Sequence, residues 1–124
     1  MQLNSGLPYW PVQNGLQRTY PPLDAPLECD VLVVGAGITG ALIAERLSAV
    51  GLDVCVADGR EVAWGSTSAS TALLQYEIDT ELQDLVERFG PDDAALAYRS
   101  CADSVTALGT LARSVGDVGF RRMK

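Results

Sequence analysis

In the first 28 residues the apolar side chains follow neither a helical nor a strand period, and five of the six prolines fall there, among them Pro11 after Trp10 and the pair Pro21-Pro22. Proline fixes φ and withholds an N–H, so residues 1–28 read as a proline-rich, extended arm. Its aromatics, Tyr9, Trp10 and Tyr20, suit docking on a larger body better than recognition of a partner. At Val31-Leu32-Val33-Val34 the pattern becomes an unbroken, largely β-branched run that ends in glycine, as expected of a strand buried on both faces. From 37 to 50 the period turns helical, with Leu42, Ile43, Leu47 and Val50 apolar and Glu45, Arg46 and Ser48 polar. Gly51 is placed to cap that helix in a left-handed conformation. A second apolar run, Val54-Cys55-Val56-Ala57, ends at Asp58. Strand, helix and parallel strand in this order form one crossover unit, expected to be right-handed.

After a Gly/Ser/Thr-rich loop at 65–71, two more helices are predicted. Thr80-Glu81-Leu82-Gln83 has the form of a capping box, and Leu82, Leu85, Val86 and Phe89 share one face until Gly90. The next helix starts at Pro91, with Asp92 and Asp93 in its first turn, where proline and negative charge are both favoured. Its stripe of Tyr98, Cys101, Val105, Leu108, Ala112 and Val115 is too short for a sustained coiled-coil seam and reads as a core-facing side. Gly116 ends it, and Asp117 to Phe120 read as the opening of another strand. The expected organisation is an arm (1–28), a strand–helix–strand unit with its loop (29–78), a helical pair (79–116) and the start of a further strand (117–124). The fold class is α/β.

Gly35-Ala36-Gly37-Ile38-Thr39-Gly40 has the GxGxxG spacing. Gly35 serves the tight turn out of the strand, Gly37 lets the backbone approach a pyrophosphate, and Gly40 lets the helix pack on the strand. The helix N-terminus presents free N–H groups and the positive end of its dipole to such an anion. The motif lies between a predicted strand and a predicted helix, which turns a weak hexapeptide signal into a strong one for a Rossmann-type dinucleotide unit. Asp58 follows Gly40 by eighteen residues, at the end of the second strand, where an acid accepts ribose hydroxyls and repels a 2′-phosphate. Arg60 is placed to lie near the adenosine or to pair with a surface acid. The hydroxyls of the 65–71 loop suit phosphate or ribitol oxygens, and the same composition also suits a flexible linker.

Composition narrows the function classes. A net charge of −7 disfavours sequence-independent binding to nucleic acid. Hydrophobic content of 48% with 20% charged residues indicates a globular chain, and no apolar run approaches the ~18 residues of a membrane span. With no signal-like N-terminus either, the expected compartment is the cytoplasm. Three widely spaced cysteines, no CxxC pair and no histidine argue against zinc and against a histidine-activated nucleophile. Cys29 and Cys55, in strand-like surroundings, are expected to be core residues.

The segments CDVLVVGAGITGALIAERLSAVGLDVCVAD (29–58) and AWGSTSASTALLQYEID (63–79) together resemble the N-terminal part of D-amino-acid-oxidase-like, FAD-dependent oxidoreductases. The pairing of the glycine motif with a GST-type loop is the specific feature, since NAD-only Rossmann enzymes do not normally carry that loop. The resemblance implies FAD as cofactor, with Gly35, Gly37, Ile38, Thr39 and Gly40 at the pyrophosphate. It places Asp58 at the adenosine ribose, where a glutamate is more usual, and Gly65, Ser66 and Thr67 near the pyrophosphate and ribitol. Gln75 and Tyr76 would lie toward the flavin ring. Members of this family oxidise an amine, amino acid or hydroxy compound by hydride transfer to flavin. They are two to three times longer, so the expectation is a fragment that is inactive alone, without assignable catalytic residues and with its small-molecule substrate bound only in the complete protein. The competing expectations are a non-catalytic dinucleotide-binding module or remnant, and an NAD-dependent dehydrogenase.

Overall fold

A computed structural model describes residues 6–15, 18–77 and 79–123. The chain divides into two compact units, residues 1–71 and 72–124.

The first unit contains helix α1 (Tyr9–Asn14), strand β1 (Val31–Val34), helix α2 (Ile38–Ala49) and strand β2 (Val54–Ala57), followed by a short 3-10 turn at Thr67–Ala69. The two strands are parallel, with Val31 opposite Val54 and Val34 opposite Ala57. The register is set at the strand entrances, where Asp53 C=O accepts the N–H groups of Asp30 (2.9 Å) and Val31 (3.1 Å), and Asp53 N–H donates to the Asp30 carboxylate at 2.8 Å. Helix α2 ends in a Schellman arrangement. Gly51, at φ 89, donates to Ser48 C=O (2.9 Å), and Leu52 donates to Leu47 C=O (3.2 Å).

Two expectations are corrected in this unit. The arm is not extended throughout, because residues 9–14 form α1, with Pro11 in the helix's opening turn, where a missing N–H costs nothing. This short helix lies on the 65–71 loop, and the Trp10 indole N–H donates to Ser70 C=O at 2.8 Å. Trp10 thus docks as expected, whereas Tyr9 and Tyr20 stay exposed. Strand β1 is not buried on both faces. Val33 is buried, but Leu32 is 57% and Val34 81% exposed, because among the described residues of the unit only one face of the sheet is covered by a helix. Cys29 and Cys55 are half-buried and carry free thiols.

The second unit holds α3 (Leu82–Phe89) and α4 (Pro91–Val115), joined at Gly90. Ala94, 1% exposed, and Gly109 are buried on α4. The stripe from Tyr98 to Ala112 on α4 is half-buried, while Val115 is exposed. The capping box is not formed. Glu81 is the cap residue and makes no side-chain cap bond, and the Thr80 carbonyl is held by the Tyr98 hydroxyl at 3.0 Å. The strand expected from Asp117 is also absent. Residues 116–123 have no regular structure and, among the described residues of this unit, no strand to pair with, and Phe120 instead packs its ring against Gly109.

Candidate functional site

The candidate site is the turn from β1 into α2. Gly35 extends the ladder, its N–H donating to Ala57 C=O at 2.8 Å, and then turns the chain with φ 110, a conformation that side-chain-bearing residues rarely adopt. Gly40 packs directly beneath. A Cβ there would collide with the Gly35 carbonyl oxygen and crowd Val33 Cγ1, so the third glycine of the motif is required by the approach of helix to turn. Gly37 is the cap residue of α2, with ordinary φ −79. A Cβ at Gly37 would stand 3.0 Å from Thr67 Oγ1. The close neighbour at Gly37 is therefore the second loop of the protein itself.

That loop is built rather than flexible. Ser68 is buried and its hydroxyl donates to Gly65 C=O at 2.7 Å, closing a tight turn that aims Thr67 at α2. Thr67 Oγ1 accepts the Ile38 N–H at 3.0 Å, so a residue distant in sequence caps the helix. Ser66 remains exposed beside it. Among the described residues, no acceptor pairs with the N–H groups of Gly37 or Thr39, and the first turn of α2 carries no acidic side chain to compete for an anion.

Asp58 reaches the same turn from the end of β2. Its Oδ2 accepts the Ala36 N–H at 2.7 Å and its Oδ1 the Arg60 N–H at 2.9 Å. These bonds, the one from Ala36 first, hold its carboxyl below the usual aspartate range, with a smaller contribution from the Arg60 charge. The Arg60 guanidinium lies over Gly65, whose φ is 84 and whose added Cβ would stand 3.0 Å from an Arg60 nitrogen. The structure thus gathers Gly35, Gly37, Ile38, Thr39, Gly40, Asp58, Arg60, Gly65, Ser66 and Thr67 around one turn. Gln75 and Tyr76 belong to the second unit.

Two residues at this turn carry no sequence signal. Ala36 contributes only its peptide groups, its N–H to Asp58 and its C=O to the Ala63 N–H at 2.8 Å. Ala63 holds a left-handed φ of 61, a conformation for which alanine is no marker.

The family model for FAD dependent oxidoreductases matches residues 30–123. The chain belongs to the FAD-dependent oxidoreductase family. The chain is 32% identical over 113 residues to the tRNA 5-methylaminomethyl-2-thiouridine biosynthesis bifunctional protein MnmC of Cupriavidus necator, covering 88% of this chain and 17% of that one. It is 30% identical over 97 residues to a Bacillus subtilis protein named as a Rieske 2Fe-2S iron-sulfur protein, YhfW, covering 78% and 19%. It is 25% identical over 88 residues to gamma-glutamylputrescine oxidoreductase of Escherichia coli, covering 71% and 21%. The chain therefore spans about a fifth of the length of these relatives. No solved structure matches. A Rieske centre takes two histidines, and this chain has none.

The groups present fit the ADP half of FAD. They offer unpaired N–H donors at a helix N-terminus, a glycine cradle without Cβ atoms, and hydroxyls at Ser66 and Thr67. Among the described residues no helix is long and apolar enough to cross a membrane, and no group of side chains is arranged to hold a metal ion.

Proposed function

We propose that residues 29–71 form a Rossmann-type unit that binds the ADP portion of FAD for a flavin-dependent oxidoreductase acting on an amine, amino acid or hydroxy compound. The observation that carries this reading is the seating of the 65–71 loop on the glycine turn through the Thr67 to Ile38 bond. It brings a second set of hydroxyl and amide donors to the pyrophosphate position, where an NAD-only unit needs just the first. Gly37 and Thr39 N–H groups and the Ser66 hydroxyl hold the diphosphate, Thr67 orients the helix end, and Arg60 flanks the adenosine side. FAD, when bound, supplies the hydride acceptor. In this reading the chain binds cofactor but does not turn over substrate by itself, and it resides in the cytoplasm.

The test is titration of the purified 124-residue chain with FAD and, separately, with NADH, followed by flavin fluorescence and calorimetry. Saturable FAD binding with weaker or no NADH binding supports the proposal. NADH binding without FAD binding replaces it with a nicotinamide unit, and binding of neither leaves a remnant without a cofactor. Amine and hydroxy-acid substrates added to the FAD-loaded chain are expected to leave the flavin absorbance unbleached, and bleaching would overturn the claim of inactivity.

A further inference from the structure

The polar bonds that shape the glycine turn converge on Ala36, whose N–H donates to Asp58 and whose C=O accepts from Ala63 N–H. Ala36 is itself buried, at 8% exposure. A peptide flanked by two glycines is the most permissive stretch of backbone a protein has, and without an anchor the turn would sample many shapes. Here the anchor is a carboxylate, which makes the bond a short, charge-assisted one of 2.7 Å.

Both oxygens of Asp58 serve backbone donors, Oδ2 for Ala36 and Oδ1 for Arg60. The short aspartate side chain thus ends at the turn. We infer that Asp58 is a positioning residue: through the Ala36 N–H it holds the 35–37 turn in the shape that receives the diphosphate, a role separate from any hydrogen bond that its remaining lone pairs offer a ribose hydroxyl. The inference rests on the dinucleotide reading of this turn and deepens it.

Three further features agree with a lock at this peptide. The Ala36 carbonyl secures Ala63 in its left-handed conformation, so backbone strain at Ala63 is held by the same unit. The Asp58 to Arg60 segment places the Arg60 guanidinium over Gly65, tying the glycine turn to the second loop. The lowered proton affinity of Asp58 keeps the acceptor ionised at neutral pH. A turn already ordered in the free protein avoids the entropic cost of ordering it on binding.

The deciding measurement is residue-resolved amide hydrogen exchange on the ligand-free, full 124-residue chain, for the wild type, D58N and D58A. Asparagine retains one acceptor for Ala36, while alanine retains none. The expected result is a protected Ala36 amide in the wild type and about tenfold or more faster exchange at Ala36 in D58A, with D58N between them and the β2 amides unchanged. An unprotected Ala36 in the wild type, unchanged exchange in D58A, or acceleration spread evenly over the unit would each overturn the lock.

Titration with ADP and with 2′,3′-dideoxy-ADP then separates positioning from ribose reading. Positioning predicts that D58A weakens 2′,3′-dideoxy-ADP as well as ADP, by about tenfold. A loss confined to ADP assigns Asp58 to the ribose and overturns the inference. A wild-type chain that binds neither nucleotide overturns the dinucleotide reading alone, because the exchange experiment still decides the role of Asp58.

Discussion

Gly40 and Gly37 show how two glycines of one motif answer different constraints. At Gly40 an added methyl group meets backbone, the Gly35 carbonyl oxygen, which cannot move without breaking the turn. G40A is therefore expected to destabilise the first unit by more than about 3 kcal/mol, read by urea unfolding followed through Trp10 and Trp64 fluorescence. At Gly37 the neighbour is the Thr67 hydroxyl, 3.0 Å from the added Cβ, and a side chain can yield. G37A should cost nearer the about 1 kcal/mol of the Ile38 to Thr67 bond. Asp58 adds a pH signature. Its pKa in the folded protein lies below the unfolded value, so its stabilising contribution is complete above the unfolded pKa of about 4 and is lost as pH falls through the lowered folded value. The stability difference between wild type and D58N should thus be constant at neutral pH and shrink below about pH 4. A difference that instead grew on acidification would contradict the Ala36 and Arg60 bonds.

At the scale of elements, α1 is tied to the second loop by a long-range polar bond, from the Trp10 indole N–H to Ser70 C=O across sixty residues. The helix has only six residues, far too few to persist alone. W10F keeps the ring and deletes the donor, with an expected cost of about 1 kcal/mol and faster proteolytic cleavage in the arm, while the β1 and β2 amides keep their protection. The strands and α2 were legible from pattern because their signals are local: β-branched runs for the strands, and Gly51 where the helix must end. The predicted bounds of β1 and β2 agree with the observed ones, and α2 differs by one residue at each end. Helix α1 was not legible, since its proline-rich sequence reads as extended until the loop that supports it is in place. The capping box failed for a related reason, because Tyr98 holds the Thr80 carbonyl.

At the scale of the whole molecule, the two units carry different expectations. The first contains every residue of the proposed cofactor site, and the second is a helical pair that contributes none of them. Saturation with FAD at one hundred times its dissociation constant should stabilise the first unit by about 2.7 kcal/mol, by mass action. In hydrogen exchange this appears as added protection within residues 31–71, with α3 and α4 unchanged. Protection confined to α3 and α4 would contradict the site. The exposed Leu32 and Val34 side chains belong to the same scale. A two-stranded parallel sheet with one helix leaves one apolar face uncovered, although the sequence of β1 is composed for burial on both.

The order of strand, helix and strand and the glycine turn between them were legible in the sequence alone, because each depends on local periodicity or on residue types that tolerate unusual backbone, and the resemblance of residues 29–58 and 63–79 named the family that the family model matches. The tertiary structure decided what those residues touch. It showed that Gly37 makes room for Thr67, that Asp58 closes on the Ala36 amide, and that Ala63 sits left-handed behind it. These are contacts of backbone groups, which every residue carries and no residue type announces, between segments that only folding brings together.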